Sequence, residues 1–495
     1  MTSARNYIWS MGTPSVQEIF EAQGKRRWAI AQTSAKERIA KLKKLREALE
    51  QRQREFYDAV WQDFHKSEFE AWECEIFPAI EEIDCAIAHL ADWMEDKDGK
   101  WVFFLPTTRS VSHFEPKGRV LIFAPWNYPL LLLVSPIVSA IAAGNVVMAK
   151  PSHKTPRVSA FLKSLFESIF ESDEIAIIEG AGAEIGDALL GLPFDHVFFT
   201  GSPHVGKHVE ECAAKVHAGV TLELGGKSPV VILPNLAKRL GKDTNKISTK
   251  LADAANKIAW GKMLNAGQTC IAPDYALCPR TLVQNFAKAL AEEIKKFYGQ
   301  TANERYRSND FVRIIDSKAC ARHKQLIEDA VERGANCIFG GEIDIEARYT
   351  PATILTDVTP DMQIMQSEIF GPILPIVAYD TLDEAIAFIQ SRPKPLALYI
   401  FGSKQADIQK VLSQTTSGSS CINNCIIQIE NLSVPFGGVG MSGTGNYHGF
   451  YGFKAFSHER NIMEQKNFNM VRLFNPPYKN KGFQSMVQRV LKFLG

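Results

Sequence analysis

The chain has no Cys-X-X-Cys pair, no marked excess of charge of either sign and no unbroken apolar stretch suited to a membrane. Its nine cysteines are an odd number scattered from Cys74 to Cys425. That pattern argues against a disulfide framework and against a zinc site of paired cysteines, and it points to a reducing, cytoplasmic compartment. No metal site is expected. Lys and Arg number 56 against 55 Asp and Glu, a formal net charge of +1. A nucleic-acid binder would carry a strong basic excess, so that class is set aside. The N-terminal stretch MTSARNYIWSMGTPS lacks the apolar core of a secretory signal. Residues 120–149 carry no charge, but Pro125, Pro129 and Pro136 interrupt them, as do Asn127, Gly144 and Asn145. A spanning helix of about twenty residues would have to absorb those breaks. A buried strand, a loop, a helix and a second strand are expected there instead.

What is present is ordinary globular composition, 45% hydrophobic and 22% charged, over 495 residues. That length exceeds one hydrophobic core, so two or three domains are expected. The first hundred residues read as helices, with Ser15-Val-Gln-Glu18 and Ser34-Ala-Lys-Glu37 matching the capping box of a helix start. Short runs rich in Val, Ile and Phe then alternate with helical patterns. The runs at 119–124, 146–149, 176–179, 196–200 and 220–224 are expected strands of a parallel sheet covered on both faces. A second alternation follows, with strands near 275–278, 336–339, 373–379, 396–401 and 420–423. The expected fold class is α/β, with two Rossmann-like, doubly wound parallel-sheet domains and a β bridging element. The expected division is a dinucleotide-binding domain over 1–98 and 117–222, a catalytic domain over 223–416, a bridging element over 99–116 and 417–460, and a tail over 461–495.

Ligands of open α/β sheets bind beyond the carboxyl ends of the strands, and unusual polar residues stand at those ends here. Asn127 follows one strand in PWNYP, and Lys150 follows the next in KPSHKTP. Gly201, Ser202 and Gly206 form a strand–GSxxxG–helix turn with room for a pyrophosphate at a helix start. Gly180-Ala-Gly182 is a second glycine-rich segment that reads as a plain strand-to-helix turn. Glu223 closes the strand TLELGG. Cysteines on helical patterns, such as Cys74, Cys85 and Cys212, read as small core fillers. Cys270 differs, because the turn Gly-Gln-Thr delivers it, where a backbone can present a thiolate to a cleft. Glu368 enters another turn, EIFGP, which by itself reads as structural.

Taken together, PWNYP (125–129), KPS (150–152), FTGSPHVGK (199–207), LELGGKSP (222–229), NAGQTCIAPDY (265–275), EIFGP (368–372) and PFGGVGMSGTGNYHG (435–449) resemble the aldehyde dehydrogenase superfamily over roughly residues 15–460. The NAGQTCIAPDY and GNYHG forms point to its class 3 branch. The resemblance implies NAD- or NADP-dependent oxidation of medium or long aliphatic or aromatic aldehydes to acids. Cys270 would be the nucleophile, Asn127 with the Cys270 backbone N–H the oxyanion donors, and Glu223 the general base. Glu368 would hold the nicotinamide ribose, Phe370 would pack on its ring, Lys150 would bond the adenosine ribose and Ser202 the pyrophosphate. A homodimer bridged by the 99–116 arm and residues 417–460 is implied as well.

Two departures stand out. The family commonly has a Glu that disfavours NADP where this chain has His153, and the stretch from Glu223 to Cys270 is long, with a polar, basic insertion at 238–250. The tail from Lys466 onward has six Lys or Arg and no acidic residue. Phe483, Met486, Val487, Val490, Leu491 and Leu494 form an apolar stripe at helical spacing there. It is expected either to dock on its own dimer, over the substrate entrance, or to lie on an anionic membrane surface. Rival activities are an acylating dehydrogenase using coenzyme A, against which Glu223 argues, and a thiol esterase. A non-catalytic protein that kept the fold is a third reading, against which Cys270, Glu223 and Asn127 argue.

Overall fold

Both capping boxes form. The Ser15 hydroxyl accepts from the Glu18 N–H at 3.2 Å while the Glu18 carboxylate accepts from the Ser15 N–H at 2.7 Å, which starts the helix Val16–Ala31. Ser34 and Glu37 repeat the arrangement at the head of the 30-residue helix Ala35–Phe64, satisfying amides that a helix start otherwise leaves bare. The structure, a computed structural model, describes residues 14–102, 107–180, 182–237, 248–466, 475–478 and 481–494. Most of the basic insertion, at 238–247, lies outside the described residues.

The uncharged stretch resolves as its prolines require. Arg119–Phe123 is a strand, Leu131–Ala143 a helix buried on every side, and Val146–Lys150 a fully buried strand. The helix ends where Gly144 turns left-handed at φ +87°, a conformation that glycine reaches without a Cβ clash. Among the described residues no helix is long and apolar enough to cross a membrane.

These strands belong to a six-stranded sheet in the order Gly443–Thr444, Gly219–Leu224, His196–Gly201, Arg119–Phe123, Val146–Lys150, Ile175–Ile177. All its pairings are parallel except the short first one. A seven-stranded sheet runs Asn336–Phe339, Thr353–Thr356, Ile373–Tyr379, Tyr275–Pro279, Pro229–Ile232, Ala397–Phe401, Ser419–Ile422. It is parallel apart from its Asn336–Phe339 edge. The expected α/β class with two parallel sheets is therefore observed. Pro229–Ile232 and Thr353–Thr356 are strands that the periodicity did not single out. Each is four residues long and wholly buried, and so short a segment shows no alternation to read.

The 99–116 arm contributes Thr108–Pro116, which pairs antiparallel with Ser457–Gln465 from Ser457↔Pro116 to Gln465↔Thr108. Lys97–Asp98 adds a third, short strand on the other side. The strand Ser457–Gln465 is thus an edge of this small sheet, and most of it is exposed.

Candidate active site

The residues of interest converge because parallel strands present their carboxyl ends on one side. Lys150 ends its strand, Gly201 ends another, and Glu223 sits one residue from the end of a third. Cys270 arrives from the other sheet's unit, between the helix Thr249–Met263 and the strand Tyr275–Pro279.

The turn that delivers Cys270 has three consecutive left-handed residues: Asn265 at φ +52°, Ala266 at +51° and Gly267 at +71°. For Asn265 and Ala266 this backbone is strained and must be held by its surroundings. The Asn265 N–H donates to Glu70 at 2.6 Å, and its side-chain amide donates to the carbonyls of Asn127 (2.9 Å) and Gln268 (3.1 Å). Gln268, fully buried, donates to Asn265 O and Arg313 O and accepts from the Ile315 N–H. Thr269 bonds the Tyr128 hydroxyl at 2.5 Å. A Cβ on Gly267 would sit 2.3 Å from Gly371 O, so this turn lies directly against the 368–372 segment. Asn127 is buried and its amide donates to Gln268 O at 3.0 Å.

Cys270 and Glu223 face one cavity of about 280 Å³. Its walls are largely apolar, with Phe77, Tyr128, Leu132, Trp260, Ile427 and Tyr447 among them, and Glu73, Glu81 and Glu430 are its other carboxylates. Glu223 is 4% exposed, and neither of its carboxylate oxygens meets a hydrogen-bond partner among the described residues. Burial pushes its pKa well above the usual carboxylate range. Burial, with the nearby Glu368 and Glu223 carboxylates, pushes the Cys270 thiol up to about 12.

The segment carrying Glu368 and Phe370 is clamped from several sides. Arg322 donates to Glu368 O at 2.5 Å and Ile369 O at 2.8 Å, the Ile369 N–H donates to Asp274 at 2.9 Å, and Lys227 holds Ser367 O. The half-buried Glu368 carboxylate lies over the backbone of Gly225, where a Cβ would be 2.2 Å from Oε2. Burial, then Asp274, raises it to about 8. Phe370, left-handed at φ +53°, packs edge-on against Trp126 with ring centres 5.3 Å apart.

Toward the other strand ends, Ser202 caps the helix Pro203–Ala214, accepting from the Val205 N–H at 3.4 Å. A Cβ on Gly206 would be 2.6 Å from Leu224, so glycine is what lets this helix approach its sheet; a Cβ on Gly201 would meet Phe199 at the same distance. Lys150 is buried, and its ammonium makes one long bond, 3.4 Å to Pro151 O. His153 is exposed. Partial burial, then the charges of Lys150 and Lys154, lowers its pKa. This donor set suits a dinucleotide: an amide-bearing helix start, a buried ammonium with donors to spare, and a carboxylate over bare glycine backbone. Among the described residues no group of three His, Cys, Asp or Glu could hold a metal ion.

Several participants escaped the sequence reading. Cys74, read as a core filler, is half-buried and lines the cavity. Tyr447 and His448 line it too. Their rings stack at 3.8 Å, and His448 Nδ1 bonds Glu82 at 2.6 Å. The segment GNYHG was conspicuous as a motif, but nothing in it says which way its side chains face.

Residues 9–462 match the aldehyde dehydrogenase family. The 4,4'-diaponeurosporen-aldehyde dehydrogenase of Staphylococcus aureus is 41% identical over 444 residues, covering 90% of this chain and 92% of that one. The "dimeric NADP-preferring" aldehyde dehydrogenase of Canis lupus familiaris is 38% identical over 432 residues, covering 87% and 90%. A solved structure described as the substrate-bound state of Staphylococcus aureus AldH superposes with a TM-score of 0.89 at 37% identity, covering 98% of this chain and all of that one.

Proposed function

The chain belongs to the aldehyde dehydrogenase family and is an oxidoreductase with class 3 relatives, and from that premise we propose that it oxidises apolar aldehydes to carboxylic acids through a thioester on Cys270. The observation that carries this reading is one largely apolar cavity into which open both the Cys270 thiol and a Glu223 carboxyl that has no hydrogen-bond partner among the described residues. Cys270 Sγ adds to the aldehyde carbon, and the carbonyl oxygen becomes an oxyanion that the Asn127 amide and the Cys270 N–H receive. A nicotinamide dinucleotide, when bound, supplies the two-electron acceptor that takes this thiohemiacetal to the thioester. Glu223 takes the thiol proton before addition and releases it to solvent, then takes a proton from the water that attacks the thioester. The C–S bond breaks, and the departing Cys270 thiolate recovers that second proton from Glu223. Its raised pKa makes Glu223, once ionised, a stronger base than an ordinary carboxylate.

The six-stranded sheet's unit is assigned most of the cofactor, with Ser202 and the Gly201–Gly206 turn at the pyrophosphate and Lys150 at the adenosine ribose, while Glu368 at the nicotinamide ribose and Phe370 on the ring come from the seven-stranded sheet's unit. The decisive experiment is reduced-cofactor formation across aldehydes of graded chain length, without added coenzyme A. Turnover that rises with apolar length supports the reading. Turnover that appears only with coenzyme A would replace it with an acylating enzyme.

Cofactor choice follows from His153. A carboxylate there would repel a 2′-phosphate, whereas an imidazole carries no negative charge, and partial burial, then Lys150 and Lys154, lowers its pKa. NADP should therefore be used within about tenfold of NAD, a gap of about 1.4 kcal/mol or less. His153→Glu should widen the preference for NAD, read as the ratio of kcat/KM for the two cofactors. No detectable NADP turnover by the unaltered enzyme would refute this.

A homodimer is proposed through the small antiparallel sheet, in which Ser457–Gln465 is an edge strand and mostly exposed, a position that suits pairing with a second copy. The tail forms a helix, Lys481–Leu494, on which Met486 and Val490 are exposed; the Leu491 and Leu494 side chains lie outside the described residues. We assign this helix to the surface of the dimer. Full-length protein and a chain ending at Asn480 should co-sediment equally poorly with anionic vesicles. Binding by the full chain that truncation abolishes would move the helix to a membrane surface.

A further inference from the structure

Lys66 and Glu75 are both 0% exposed and pair at 2.6 Å. Two buried charges are costly to desolvate, and such a pair is kept where its remaining hydrogen bonds do something specific. Here those bonds go to one place. The Lys66 ammonium also donates to Asn127 O at 3.2 Å, and the second Glu75 oxygen accepts from the Leu130 N–H at 2.8 Å. The pair therefore grips the backbone on both sides of Tyr128, over whose ring the ammonium lies at 4.3 Å. Asn127 O receives a second donor from the Asn265 side chain, so the orientation of that peptide is set by two bonds from opposite parts of the chain.

The same short segment reaches the Cys270 turn. Glu70, on the helix Glu68–Ala71, accepts from the Asn265 N–H at 2.6 Å, at the head of the left-handed run. Between Glu70 and Glu75 the helix widens into a π turn, Trp72–Ile76, a form with i→i+5 bonds that brings residues five apart toward one side. Neither Lys66, Glu70 nor Glu75 lines the cavity. Their hydrogen bonds to the two loops that do the chemistry all go to backbone atoms.

We infer that Lys66, Glu70 and Glu75 form a positioning device for the oxyanion hole, holding the Asn127 loop and the Cys270 turn in mutual register from the outer helices. This rests on the proposed reading that Asn127 and the Cys270 N–H receive the oxyanion. The three are positioning residues and take no part in proton transfer.

The test is a set of variants of the full chain, each assayed for kcat, KM, cofactor affinity and thermal midpoint. Lys66→Met should lower kcat by about 10²-fold, the cost of a misplacement on the ångström scale, with cofactor affinity unchanged and partial recovery in Lys66→Arg. In an Asn127→Ala background the same Lys66→Met should cost less than about threefold more, because residues acting through one another are not additive. Equal losses in both backgrounds, or an unchanged kcat in folded Lys66→Met, would overturn the inference. A flat response to Asn127→Ala alone would instead overturn the oxyanion assignment beneath it. If Lys66→Met does not fold, the part-buried Glu70→Gln decides: a loss in kcat without loss of cofactor affinity supports the device, and an unchanged kcat overturns it.

Discussion

Cys270→Ala is expected to lower kcat for aldehyde oxidation by at least about 10⁴-fold, since removal of a covalent nucleophile leaves only binding and oxyanion stabilisation. Cofactor affinity should survive, because the proposed cofactor contacts at Ser202, Lys150 and Glu368 lie outside the cavity that Cys270 lines. Cys74 is the other cysteine there, and its thiol is pushed well up by burial and then by Glu70. Steady-state oxidation measured by reduced-cofactor absorbance checks this. Full activity in Cys270→Ala would sink the whole assignment. Thiol alkylation without cofactor offers a second check. With Cys270 held at about 12 by burial and two carboxylates, its modification by iodoacetamide should keep climbing with pH through the alkaline range rather than level off near neutrality.

Glu223→Gln is expected to cost about 10²–10⁴-fold in kcat, the usual contribution of a positioned general base. Glutamine fills nearly the same volume and brings no charge, so the cavity should persist. If deacylation depends most on the carboxylate, a burst of one reduced cofactor per site should precede a slow steady state as the thioester accumulates. The pH dependence has a definite sign. Burial raises the Glu223 pKa, so the base is protonated at lower pH and becomes competent as pH rises. In the unaltered enzyme kcat should therefore increase as pH rises past the ordinary carboxylate range, and the Gln variant should lose that rise. A Gln variant with the parent's rate and pH profile would remove Glu223 from the mechanism.

The legibility of this molecule from its residues is uneven in an instructive way. The helix starts at Ser15 and Ser34 could be read because a capping box is a local device, closed within four residues. The breaking of residues 120–149 into strand, helix and strand could be read because proline and glycine act on their own backbone. By contrast, Pro229–Ile232, flanked in the sheet by Tyr275–Pro279 and Ala397–Phe401, was missed. Its neighbours are tens to hundreds of residues away, and nothing within its four residues reports them.

The site divides in the same manner. Cys270, Glu223 and Asn127 were conspicuous in the chain because each sits in a turn or at a strand end, where the residue type is unusual for its place, whereas Glu368, in a turn that reads as structural by itself, gained a role only through the family resemblance. Lys66 and Glu75 were invisible, since charged residues on a helical pattern look solvent-facing, and the contact that buries Lys66 spans 61 positions to Asn127. The sequence by itself determined the alternation of strands and helices and which residue types stand at the strand ends, because those follow from local backbone preference and hydrophobic period; its motifs carried the resemblance to the family. Only the tertiary structure decided that Cys270 and Glu223 share an apolar cavity, that Cys74, Tyr447 and His448 wall it, and that a buried ion pair holds the Asn127 loop. Those are consequences of packing between distant segments, where burial changes what a charge or a thiol can do.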